Sequence, residues 1–140
     1  MATSRIQPCR DIGKAVIAHV ETDDALTSWL STRCEAWGIE EELFKRRLAA
    51  LIFVVCYALA ADVAPRDIPQ LPLSRIAEAL EEQTVTELFS PIRKDPDYAN
   101  ILDVQEVWLI STKITAAQAL YWGRLMHAAA EIVAKILAKE

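Results

Sequence analysis

The chain has 140 residues, of which 53% are apolar and 25% charged, and a net charge of −5. That is one domain's worth of chain, long enough to bury a core without staples, and too apolar for an intrinsically disordered protein. The acidic balance removes the bulk electrostatic reason to expect nucleic acid or an anionic membrane as main partner, leaving only local basic stripes to consider.

Residues 1–8 read as a loose terminus ended by Pro8. From Cys9 to Glu21 the apolar positions Ile12, Val16 and Val20 recur at helical spacing, with Ala15 beside them. Thr22-Asp23-Asp24 interrupts, and either aspartate is a good N-cap for the next helix. There Leu26, Trp29, Leu30, Cys34 and Trp37 share a face, and Gly38 closes the segment as glycine does one residue past a helix end.

Glu40-Glu41-Glu42 then opens a central helix, about residues 40–62, with carboxylates at the positive end of the helix dipole. Lys45-Arg46-Arg47 follow, and then Leu48–Ala61, fourteen residues without a charge or amide. At about 1.5 Å per residue the run is roughly 21 Å long. A membrane span needs about twenty apolar residues, and Glu40–Arg47 and Asp62 deny them on either side. A helix that is apolar all round must instead be wrapped by others.

Residues 63–72 contain Pro65, Pro69 and Pro72. They read as a stiff, extended crossover inside a single domain spanning residues 1–140. Leu73, Ile76, Ala77 and Leu80 make a short helix. Thr84-Val85-Thr86-Glu87 fits a capping box that starts another turn, ended by Ser90-Pro91. The last segment, about residues 103–139, lacks proline and reads as one long helix. Its broad apolar arc, from Val104 and Trp108 through Trp122 and Leu125 to Ile136, exceeds what a surface helix needs. No stretch alternates as a strand does. The expected fold is therefore all-α: an irregular bundle of five to six helices around the central apolar one.

The three cysteines, Cys9, Cys34 and Cys56, are odd in number and widely spaced, which speaks against a disulfide framework or a zinc site. With no apolar signal-peptide stretch at the N-terminal end, the expected location is cytoplasmic. His19 and His127 lie in no H-E-x-x-H or E-x-x-H motif, so neither metal nor cofactor is expected. His127 and Glu131 are placed to face each other at i, i+4. Glu40–Glu42 ahead of a long apolar helix, with Glu78-x-x-Glu81, resembles the all-α nucleotide pyrophosphatases, which bind magnesium with paired acidic motifs. Lys45, Arg46 and Arg47 stand where the second acidic pair belongs, so the resemblance is set aside as evidence of that activity.

Two features look like more than packing. Ser111, Thr115 and Gln118 fall at i, i+4, i+7 within the apolar arc, bracketed by Trp108 and Trp122. Polar groups on such a face need partners, and aromatic neighbours suit a subunit seam. Lys113, Arg124 and Lys135, eleven residues apart, form a nearly straight row that a phosphate backbone would fit, with Lys45, Arg46 and Arg47 as a second cluster. The leading expectation is a non-enzymatic protein–protein interaction module, an assembly subunit or inhibitor, self-associating or bound to another protein. The alternatives are a small subunit of a nucleoprotein complex and a metal-dependent enzyme or ligand-binding domain using Glu78, Glu81 and Glu82.

Overall fold

The computed structural model describes residues 5–95 and 116–139. They form six α-helices: α1 (Ile6–Glu21), α2 (Asp24–Trp37), α3 (Glu41–Leu59), α4 (Leu73–Glu82), α5 (Val85–Arg93) and α6 (Ala116–Ala138). Two 3-10 segments, Ala60–Asp62 and Pro65–Gln70, join α3 to α4. Among the described residues there is no strand, and the fold is an all-α bundle.

The central run organises the packing. Leu48 and every residue from Ala50 to Cys56 are buried, and α1, α2, α4, α5 and α6 all pack on α3. Each Leu, Ile, Val or Phe side chain removed from water there contributes about 1.5–3 kcal/mol. Among the described residues no helix is long and apolar enough to cross a membrane.

Local chemistry sets the two ends of α2 and the start of α5. The Asp23 carboxylate accepts from the N–H groups of Ala25 and Leu26 at 2.9 and 3.2 Å and so caps α2. Gly38 ends α2 at φ +62°, a left-handed conformation in which a Cβ is strained. Thr84 accepts from the Glu87 N–H at 3.2 Å, while its hydroxyl donates to the Glu87 carboxylate. At the far end of α3, the Arg5 guanidinium donates to the carbonyls of Ala60 and Ala61, placing a cation on the negative end of the helix dipole.

Three expectations are corrected. Helix α1 begins at Ile6 rather than Cys9, because Pro8 falls in the first turn, where a backbone N–H has no partner to lose. Helix α5 runs through Pro91 to Arg93: Lys94 N–H bonds back to Ser90 at 3.1 Å, and the fully buried Ile92 holds the last turn in place. The proline connector is not extended. Pro65 opens a 3-10 segment compatible with its fixed φ, and Ile68, fully buried, pins that segment against α1. Of the segment expected as one helix over 103–139, the stretch before Ala116 lies outside the described residues.

Helices α1 and α3, the most extensively packed pair among the described elements, approach closely at Gly13. A Cβ added to Gly13 would lie 2.3 Å from the Ala49 carbonyl oxygen. The two helices run antiparallel, since Arg5 reaches Ala60, Arg10 lies over the Phe53 ring and Gly13 faces Ala49. Gly123 on α6 has open space around it instead. Replacing glycine by alanine inside a helix ordinarily stabilises by about 1 kcal/mol. Gly123→Ala should show that gain in urea denaturation. Gly13→Ala should instead lose about 1–3 kcal/mol, because two backbones must part. A Gly13→Ala protein as stable as the parent would rule out the close contact.

Candidate functional site

A groove of about 370 Å³ lies between α1 and α3. It exists because Gly13 and Ala49 bring the helices together while small side chains keep the space above them shallow. Its apolar lining is Ile17, Ala18, Ala49, Ala50 and Phe53. Its rim carries four cations, Arg10, Lys14, Lys45 and Arg46, against two carboxylates, Glu21 and Glu42. Not all the cations are equally available. Lys45 is half-buried and paired with Glu42 at 3.3 Å, and Arg10 lies 5.4 Å over the Phe53 ring. Lys14 and Arg46 are exposed and make no ion pair among the described residues.

The basic cluster of the central helix is thus divided three ways. Lys45 is held by Glu42, Arg46 faces the groove, and Arg47 donates to the Tyr121 hydroxyl at 2.7 Å while lying over the Tyr121 ring. Helical geometry spreads consecutive residues over about 100° each, so the three cannot act as one patch. Arg124 and Lys135 are exposed on α6, while Lys113 lies outside the described residues. Trp108, Ser111 and Thr115 of the expected polar seam also lie outside them, as does the Gln118 side chain. Trp122, read from sequence as an interface residue, belongs to the core: it is 2% exposed and packs edge-on against Phe89 at 5.0 Å.

A second concavity, about 410 Å³, lies where α4 and α5 meet α6, with Glu81, Gln83, Gly123 and His127 at its mouth. His127 is exposed there. Its expected neighbour Glu131 is paired with Arg33 of α2 at 2.5 Å. Glu78, Glu81 and Glu82 are exposed on α4. Among the described residues, no three His, Cys, Asp or Glu side chains are placed to hold a metal ion.

The perturbed acids and thiols lie away from the groove. Burial pushes the Cys9 thiol up to about 12 and raises Cys34 and Cys56 as well, a direction that disfavours the nucleophilic thiolate at these three free, buried cysteines. Burial, then the Asp95 carboxylate that accepts a hydrogen bond from its hydroxyl, pushes Tyr57 up to about 12. Asp23 moves the other way. Its hydrogen bond from Lys139, then the Leu26 N–H it caps, hold its carboxyl below the ordinary 3.8.

The Asp23 site joins the start of α2 to the end of α6, so its charge should register in acid stability. A lowered folded-state pKa contributes stability that is complete above the unfolded value and lost as pH falls through the folded one. Asp23→Asn keeps a capping oxygen but loses the charge. The parent should be the more stable protein at neutral pH, and the two melting temperatures should converge as pH drops below 3.8. A constant difference down to about pH 2 would exclude the charge as the cause. No family model, curated protein or solved structure matches the chain.

Proposed function

We propose that the protein is a non-enzymatic helical interaction module that docks another polypeptide in the α1–α3 groove, acting as an assembly subunit or an inhibitor. One observation carries this reading: an apolar lining built on a tight helix pair, edged by Lys14 and Arg46 without carboxylate partners among the described residues. Helix-in-groove recognition uses this arrangement, an apolar trough for specificity of shape and a charged rim for orientation. A cytoplasmic setting belongs to the same proposal, since three buried free thiols suit a reducing compartment.

Contact with a nucleic-acid backbone is the second reading, favoured by the exposed Arg124 and Lys135 at an eleven-residue spacing on α6. It has less to draw on, because Lys45 is already paired with Glu42 and Arg47 with Tyr121.

A photo-crosslinking amino acid at Ala18, exposed in the groove lining, tests the proposal against one at Glu78, exposed on α4. In extract of the source cells the Ala18 site should yield a discrete polypeptide adduct that survives nuclease treatment, and the Glu78 site should not. Equal labelling at both sites, or adducts that vanish with nuclease, would overturn it.

A further inference from the structure

The groove has a direction, and that direction constrains its occupant, provided that the groove is the protein-docking surface proposed above. Antiparallel packing of α1 and α3 lays Arg10 beside Phe53 at one end and puts Glu21 and Glu42 at the other. The span from Arg10 to Glu21 is about 16 Å, or three helical turns. Lys14 and Arg46 stand along the middle. The rim is cationic in a chain whose net charge is −5, so this face opposes the rest of the surface in sign. Glu21 closes α1, at the negative end of that helix's dipole, where a carboxylate is disfavoured unless something positive faces it. The apolar lining in between includes Ala18, Ala49 and Ala50, whose methyl groups leave room for larger side chains to enter from outside.

We infer that the groove receives an amphipathic helix of a partner protein, with an apolar stripe flanked by carboxylates. Its N-terminus lies at the Glu21–Glu42 end, so it runs antiparallel to α1 and parallel to α3. Leu- or Ile-sized side chains at i, i+3, i+4 and i+7 fill the space over the three alanines. Carboxylates of its second and third turns meet Lys14, Arg46 and Arg10. The positive end of its dipole meets Glu21 and Glu42. Because α1 and α3 are antiparallel, their own dipoles oppose one another, and side-chain charges set the direction.

The test is fluorescence anisotropy on the full chain with synthetic peptides of about 18 residues, long enough to hold a helix. One carries the Leu stripe with flanking Glu, one the same stripe with flanking Lys, and one the Glu composition scrambled. The Glu-flanked peptide should bind at least tenfold tighter than either of the others. The exposed double variant Lys14→Glu/Arg46→Glu, checked by circular dichroism to be folded, should weaken it about tenfold and should now prefer the Lys-flanked peptide. A nitroxide on the peptide N-terminus should broaden amide signals around Glu21 and Glu42, and one on the C-terminus those around Arg10 and Phe53. Reversed broadening overturns the direction, and equal binding of the Glu-flanked and scrambled peptides overturns the acidic helix. If a polypeptide is crosslinked at Ala18 while the Glu-flanked peptide fails, the partner chemistry is wrong and the docking reading survives. If dodecanoate displaces the peptide and nothing is crosslinked, the groove is an amphiphile site and both readings fall.

Discussion

The approach of α1 to α3 at Gly13 and Ala49 is the constraint on which the rest of the structure depends. With a Cβ at position 13 only 2.3 Å from a carbonyl oxygen, no other residue keeps the two backbones at this separation. Their contact seats Cys9, Val16, Ile17 and Val20 of α1 against the apolar face of α3. It also puts Arg5 at the end of α3, where the guanidinium satisfies carbonyls that the helix itself leaves open. The same closeness creates the groove, because a wider pair would let larger side chains interleave and close the trough. Stability and candidate function thus share one contact.

The outer helices are held differently. Helix α2 buries only Leu26, Leu30 and Cys34, and its ties to α6 are polar: Arg33 to Glu131, and Lys139 to the capping carboxylate Asp23. Partly exposed pairs of this kind contribute about 0–1 kcal/mol each, so α2 is the lightly anchored element. Its Trp29 indole N–H is buried without an acceptor among the described residues, beneath the Arg33 guanidinium. Helix α6 is the opposite case, with Trp122, Leu125, Ala129, Ile132, Val133 and Ile136 all sealed in the core. That accounts for much of the apolar arc that in sequence suggests a subunit seam.

Particular residues show where local reading succeeds. As helix caps, Asp23, Gly38 and Thr84 act through groups within a few positions of themselves, and each does what its side chain or backbone freedom predicts. Ile76 and Leu80, or Val16 and Val20, are buried as their spacing requires. Reading fails at the prolines. Pro8, Pro65 and Pro91 lack an N–H, but whether that breaks a helix depends on where in the helix they fall and on what packs beneath them. The burial of Ile68 and Ile92 decides the latter two cases, and burial is not a local property. It fails also for Arg47, whose partner Tyr121 lies 74 residues away.

By itself the sequence determined the fold class and the centre: an apolar run too short for a membrane and too apolar for a surface must be surrounded by other helices, and helical periodicity supplies them. It did not determine the groove. Lys14 on α1 and Arg46 on α3 are unrelated cations until antiparallel packing sets them on one rim. Arg46 stands between Lys45, which pairs with Glu42 on the same helix, and Arg47, which reaches Tyr121 on α6. Periodicity fixes which way a side chain leaves its own helix, whereas the charge it meets there is set by contacts between distant segments. The Lys45–Glu42 pair is a local i, i+3 contact legible in the sequence, whereas the Arg47–Tyr121 contact and the place of Arg46 on the groove rim were decided only by the tertiary structure.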